Sequence, residues 1–573
     1  MTSSESLRIA CVLATVLFNL HLPAQADVKM PAIFGDHMVL QQATKIPVWG
    51  NADPGESVLV MLGANNATAI ADAQGNWQVQ LPPQTANGST SVTLTVKGKN
   101  TLTFQDVLVG DVWIGSGQSN MGLSVLDGRD GVKEAAQAAN PQIRLFQVTR
   151  MVAPLPMTDI VPTTPDRPFL GAWQVCSPDR PAQHSIVGGF SAVAYYFARD
   201  IAQVTGQPVG IIATSWGGTP GQAWTPLDAL EAAPQLKHYA TDAYHFQQNY
   251  DAAKAKFVQD QTDFPALKQK WDQEVGAPYK DALAQWQTLA DQAKAAGQPA
   301  PPKPAPASPA PVKPKSPDEA SNTPTGLFNG MVAPLIPYAI KGVVWYQGES
   351  NESTGVEYRT LFKSLITSWR TKWGQGDFPF LFVQLANYGH LEPPPAGPSG
   401  GLWPWVREAQ GMALALPNTG MAVTIDIGDP GNIHPKDKQD VAARLALAAR
   451  HVAYGQDLVF SGPTYDSIKI ENNSIRISFK NIGGGLVMGV PPWTANGQPV
   501  PTPTELTGFG IAGADNKWVA AKAAIDGDTV VVSSDAVPNP VAVRYGWTPN
   551  PPCDLYNKDG LPASPFRSDD WDR

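Results

Sequence analysis

Four short segments carry residue types that can do acyl-transfer chemistry. The first is a strand-like run from Gly110 that ends in a small-residue turn, Gly115-Ser116-Gly117-Gln118-Ser119-Asn120-Met121. Open α/β sheets place their sites at such strand ends. A serine becomes nucleophilic only when a base takes its proton, and its turn must expose Oγ while freeing a backbone N–H for the oxyanion. Ser119 and its flanking glycines meet both conditions, although a serine in a turn also commonly makes a local backbone hydrogen bond. The turn is not the G-x-S-x-G elbow, because Met121 stands where the last glycine belongs. The second segment, Asp426-Ile427-Gly428-Asp429-Pro430-Gly431-Asn432-Ile433-His434-Pro435, offers a base. Carboxylates in the same loop, Asp429 or Asp426, can orient the His434 imidazole and stabilise its charge. His390 and His184 lie in loops without that context, and His451 reads as part of a helix.

The third segment is Trp345-Tyr346-Gln347-Gly348-Glu349-Ser350-Asn351. Gln347 is an amide donor for an oxyanion, and the aromatics can wall a pocket or simply fill a core. The fourth, Thr214-Ser215-Trp216-Gly217-Gly218-Thr219-Pro220, presents adjacent glycines whose N–H groups are accessible; its plain alternative is an ordinary strand-to-helix turn.

These segments need strands to hold them. Apolar runs at 107–109, 208–213, 343–345, 380–383 and 422–425 read as strands, and 191–204, 358–373 and 439–454 as amphipathic helices. Strands alternating with helices predict a parallel α/β sheet. Its two parts, 107–226 and 323–454, are separated by an insertion at 227–322. The insertion starts with Ala/Gln/Lys/Asp-rich helical sequence and then carries nine prolines between Pro299 and Pro317. Such a tract excludes helix and inner strand and predicts a flexible lid or spacer. Period-two runs such as 57–61 and 77–81, punctuated by turn residues, predict a β-sandwich over 27–106, and similar runs a second β unit over 455–573 that packs with the first.

The 573 residues carry 41 Lys+Arg against 50 Asp+Glu, a formal charge of -9, with no basic run of the kind that nucleic-acid binding needs. Charged residues are 16%, below the usual share of about 25%, so sizeable cores are available. Residues 1–26 read as a signal peptide: Arg8, an apolar stretch from Ile9 to Phe18, and Ala24-Gln25-Ala26 before a cleavage at Asp27. This predicts a periplasmic or secreted protein with no membrane insertion after cleavage. Cys176 and Cys553 then remain, and they either pair or stay as free thiols. No metal or organic cofactor is called for. Gly508-Phe509-Gly510-Ile511-Ala512-Gly513 fits a dinucleotide fingerprint in letters only, because the β texture around it offers no βαβ unit.

Taken in order along the chain, the segments resemble the sialate O-acetylesterase-like branch of the SGNH hydrolases, carbohydrate acetylesterases that include enzymes of plant hemicellulose. The resemblance rests on Phe34-Gly35-Asp36-His37-Met38, the GQSNM turn at 117–121, the SWGGTP turn at 215–220, Phe328-Asn329-Gly330-Met331, the WYQGESN segment at 345–351, Arg407-Glu408-Ala409-Gln410, Ile433-His434-Pro435 and Val543-Arg544-Tyr545-Gly546-Trp547. It implies a three-layer α/β/α sandwich with a parallel sheet, flanked by N- and C-terminal β-sandwich-like units. It also implies Ser119 as nucleophile, His434 as base, and an oxyanion hole from the N–H of Ser119, a glycine of the Gly217-Gly218 pair, and Gln347. Asn120, Trp345, Glu349 and Asn351 are expected to line the substrate pocket. One departure stands out: the superfamily's Asp three residues before the histidine is Gly431 here, which leaves Asp429 or Asp426 as the acid, or a Ser-His pair oriented by a backbone carbonyl. The expected substrate is an acetylated carbohydrate, on hemicellulose or on sialic acid. The competing expectations are an inactive secreted sugar-binding protein, suited to 17 Trp and 14 Tyr, and a lipid or thioester esterase.

Overall fold

The computed structural model describes residues 27–162, 169–178, 186–391, 402–492, 494, 497, 500–501 and 503–571. The leader read over 1–26 and His184 lie outside the described residues.

The central sheet is built from β1 (Thr101–Gly117), β2 (Asn140–Gln147), β3 (Trp173–Cys176), β4 (Val209–Ser215), β5 (Gly342–Tyr346), β6 (Phe380–Val383) and β7 (Thr419–Ala422), in the order β7-β6-β5-β1-β4-β2-β3. All neighbours are parallel except β3, which runs antiparallel to β2. The buried runs VVW, FLFV and VGIIATS are apolar nearly throughout, as strands covered on both faces must be. Four helices matter for the site: α1 (Ala192–Thr205), α2 (Gly355–Trp373), α3 (Trp403–Met412) and α4 (Lys438–Val452). α1 packs against α4, and α2 against α3. Ser191 caps α1 by accepting from the Ala194 N–H, and Gly206 ends it in a left-handed conformation. The outcome is the expected α/β fold with a parallel sheet and added β units.

β1 is 17 residues long, and its burial changes character midway. Over 101–106 it alternates and pairs antiparallel with Val92–Lys97 in the N-terminal sheet; from Val107 it is buried throughout and joins β4 and β5. One strand therefore serves two units. The apolar run at 422–425 is a strand only in its first residue. Beyond Ala422 the Val423 carbonyl is taken by Arg444 and the Thr424 hydroxyl donates to the Gln384 carbonyl, so the chain leaves the ladder.

The insertion forms two long helices, Lys237–Trp271 and Ala277–Ala295. The proline tract folds back along them, with the indoles of Trp286 and Trp271 donating to the carbonyls of Pro301 and Ser308. It is thus anchored rather than a free spacer. The C-terminal unit has its own core, including Ile475, Ile477, Phe509, Ile511, Val530 and Tyr545. Among the described residues its hydrogen bonds run to the α/β segment, and none runs to the N-terminal unit with which it was expected to pack: Arg407 donates to the carbonyls of Thr548 and Pro549, and Gln384 to Ser564 Oγ. Gly508 and Gly513 flank an antiparallel strand, Phe509–Ala512, and Gly510 lies within it. Cys176 and Cys553 form no disulfide. Among the described residues no helix is long and apolar enough to cross a membrane.

Candidate active site

Register brings the four segments together. Ser215 at the end of β4 and Tyr346 at the end of β5 both pair with Gly117 at the end of β1. The residues immediately beyond are Gln118-Ser119, Trp216-Gly217 and Gln347. The approach is tight, since a Cβ on Gly117 would lie 2.1 Å from the Tyr346 carbonyl oxygen. Ser119 opens a single helical turn, Ser119–Gly122, whose first N–H has no partner within the turn. Gly217 lies against it, with the position of a Cβ only 3.3 Å from Ser119 Cβ. Among the described residues the N–H groups of Gly217 and Gly218 have no backbone or side-chain acceptor. Ser119 and His434 are half-buried and both glycines exposed, so the cluster faces solvent.

His434 reaches this cluster through its neighbours. Asn120 Nδ2 donates to the Ile433 carbonyl at 2.9 Å and to Glu349 Oε1, while its Oδ1 accepts from Lys438 Nζ at 2.6 Å. Only one amide orientation satisfies all three partners. Lys438 is fully buried, at the first position of α4, with its ammonium 5.1 Å from the Tyr346 ring centre. Burial pushes its pKa down to about 7, and pushes that of Glu349, whose Oε2 has no hydrogen-bond partner among the described residues, upward. Burial and then the Lys438 charge lower the His434 pKa, which favours the neutral imidazole that a base requires.

Several expected roles are corrected. Asp426 does not orient His434: both its oxygens are held by the Arg444 guanidinium at 2.6 and 2.7 Å, with the Tyr556 hydroxyl as a third donor. Asp429 accepts from the Gly431 N–H in a local turn, and among the described residues the His434 ring makes no hydrogen bond. Gln347 is fully buried and has no free amide proton; its Nε2 donates to the Thr219 carbonyl and to Asn351 Oδ1, and its Oε1 accepts from the Tyr358 hydroxyl. It therefore ties the segment after β5 to the Gly217-Gly218 turn instead of offering an N–H to a ligand. Asn120, Trp345, Glu349 and Asn351 are buried as well, so they support the site from behind. Trp345 packs among Trp224, Trp369 and Phe362, and Asn351 accepts from the Gly221 N–H and donates to Gln222.

Lys438 escaped the sequence reading, although a signal was there. A lysine at the start of a helix opposes the helix dipole and asks for a separate reason. Gln410 was quoted only as part of a motif; its Nε2 donates to the Gln347 carbonyl and its Oε1 accepts from the Leu385 N–H. Arg150 and the half-buried Trp216, beside the Ser119 turn, were also missed. Among the described residues no group of three or more His, Cys, Asp or Glu side chains is placed to hold a metal ion.

Known proteins match this arrangement over most of its length. A family model described as carbohydrate esterase, sialic acid-specific acetylesterase, matches residues 326–451, which include Gln347 and His434. A crystal structure of a carbohydrate acetylesterase from Xanthomonas citri is 34% identical, with a TM-score of 0.71, covering 95% of this chain and 100% of that one. The sialate O-acetylesterases of Rattus norvegicus and Homo sapiens are each 28% identical, covering 97% and 94% of this chain and 97% and 92% of their own lengths. Fold, strand-end cluster and likeness together define a carboxylic ester hydrolase with an SGNH-type α/β core. The chain belongs to the sialate O-acetylesterase-like family of carbohydrate esterases.

Proposed function

We propose that the protein removes acetyl groups from sugar hydroxyls by serine acyl transfer, acting after export on acetylated hemicellulose oligosaccharides such as those of xylan or xyloglucan. Ser119 Oγ attacks the acetyl carbonyl while His434 takes its proton. The tetrahedral oxyanion is held by the N–H of Ser119 and those of Gly217 and Gly218. His434 returns the proton to the departing sugar oxygen, and water activated by the same imidazole releases acetate. Among the described residues no carboxylate is hydrogen-bonded to the His434 ring; of the two expected loop carboxylates, only Asp429 is not held by Arg444 and could assist the imidazolium.

The observation that carries this reading is the coincidence of exposed, unpartnered N–H groups at 217–218 with the half-buried Ser119, on a turn hydrogen-bonded to the His434 loop. The crystal structure of the carbohydrate acetylesterase supports the sugar ester as substrate. The hemicellulose assignment rests on the leader read from the sequence of residues 1–26 and on a large insertion suited to a polymer. A sialic acid ester is the second reading, favoured by the mammalian relatives.

Acetate release by wild type and Ser119→Ala tests both, on acetylated xyloglucan, acetylated xylan and O-acetyl sialic acid side by side. Release by wild type alone, from one of the three, supports the esterase and names the sugar. Release from none by wild type, together with no labelling by a serine-reactive phosphonate, overturns the esterase in favour of a sugar-binding protein.

A further inference from the structure

The rim of the site carries a cation that the reaction does not use. Arg150 follows β2 and is exposed, and among the described residues no carboxylate pairs with it. Its Nε donates to the Ser215 carbonyl at 3.3 Å, and its guanidinium carbon sits 5.8 Å from the Trp216 ring centre. Both contacts hold the side chain without neutralising it. One guanidinium nitrogen, Nη2, is 4.0 Å from the place a Cβ on Gly122 would occupy. Gly122 lies three residues after Ser119 in one helical turn, and such positions are separated by about 5–6 Å at Cβ. The guanidinium is thus within about 10 Å of Ser119 Cβ, roughly one sugar ring away. Trp216, which follows β4 and precedes the oxyanion glycines, adds a half-buried aromatic face beside it.

We propose that Arg150, backed by Trp216, is a subsite for the carboxylate of an acidic sugar, so that the preferred ester lies on a sugar that bears, or neighbours, a carboxylate. The proposal rests on the esterase reading and narrows its substrate. A guanidinium takes a carboxylate through two parallel N–H donors, and among the described residues no carboxylate competes for them. Two sugar carboxylates satisfy this chemistry, that of a uronic acid on a hemicellulose chain and that of a sialic acid.

The test compares each acetylated acidic sugar with its own methyl ester, which keeps the acetyl group and the ring but removes the charge. Wild type is expected to favour the free acid by about 10- to 100-fold in kcat/KM, mainly through KM, as a charge-assisted hydrogen-bonded pair predicts. In Arg150→Gln that preference falls to near unity, and Arg150→Lys retains part of it. A uronate-bearing acetylated xylooligosaccharide and O-acetyl sialic acid form the two arms, and the arm that shows the preference names the source. Equal rates on acid and methyl ester in wild type, or a preference that survives in Arg150→Gln, overturns the subsite while leaving the esterase standing. If wild type cleaves no sugar ester, the esterase reading falls. Ligand-observed NMR binding of the deacetylated acids against their methyl esters, to wild type and Arg150→Gln, then decides the subsite by the same criterion.

Discussion

The amide of Asn120, the residue after Ser119, donates to the carbonyl of Ile433, the residue before His434, at 2.9 Å. Two segments more than 300 residues apart are thereby joined one position away from the two groups proposed to exchange a proton. Asn120→Ala is expected to lower kcat by about 100-fold, because a displacement near 1 Å between reacting groups costs that much. It should also destabilise the fold by about 1–3 kcal/mol, since Lys438 and Glu349 lose a buried partner. Steady-state kinetics and urea unfolding on the same preparation check both; a stable, fully active variant would remove Asn120 from this role.

The pH profile follows from His434. Its pKa is lowered by burial and by the charge on Lys438, and only the neutral ring accepts the serine proton. Activity therefore rises with pH through a midpoint below the ordinary histidine value of about 6.5. Lys438, with its pKa pushed down to about 7, is still charged over that range. Lys438→Met removes the positive charge and should move the acid limb of kcat/KM upward. An unmoved limb in a folded Lys438→Met protein would show that the two groups do not communicate.

The two loop carboxylates should separate by phenotype. Asp426→Ala strands Arg444, a nearly buried guanidinium, and is expected to cost about 3–5 kcal/mol in stability. Asp429→Asn leaves the local turn intact and should barely move the melting temperature, yet lower kcat by about 10-fold or more if this carboxylate steadies the imidazolium. Thermal melts and kcat measured together distinguish them. An unchanged kcat in Asp429→Asn would mean that the Ser-His pair works without a carboxylate.

Gly217 tests the closeness of the oxyanion turn. A methyl group there would meet Ser119 Cβ at 3.3 Å, close enough that one of the two must give by a few tenths of an ångström. Gly217→Ala should therefore fold normally and lose about 10-fold in kcat, by the same sensitivity of catalysis to placement. Phosphonate labelling should slow in parallel.

Much of the architecture was legible because parallel strands buried on both faces are plain apolar runs, and helices 191–204 and 358–373 keep the spacing of an amphipathic face. The run at 422–425 misled because apolarity reports burial and not ladder pairing. At the site, Ser119, His434 and the 217–218 glycines stood out through their turn chemistry. Which polar side chains face the substrate did not. Gln347, Asn351 and Glu349 carry the chemistry of a pocket but are engaged behind it, and satisfaction of a buried hydrogen bond by a distant partner leaves no local trace. Asp426 was lost to Arg444 for the same reason, 18 residues away and on a helix.

The long strand ending at Gly117 makes the N-terminal unit a mechanical participant in the active centre. Its outer half is hydrogen-bonded into one sheet and its inner half into another, with Ser119 two residues past its tip. The outer and inner halves are one continuous strand that runs into the turn bearing Ser119. Cutting the chain at residue 107 therefore would not simply shed an accessory module. It would leave the strand that carries Ser119 as a rod clamped at one end only.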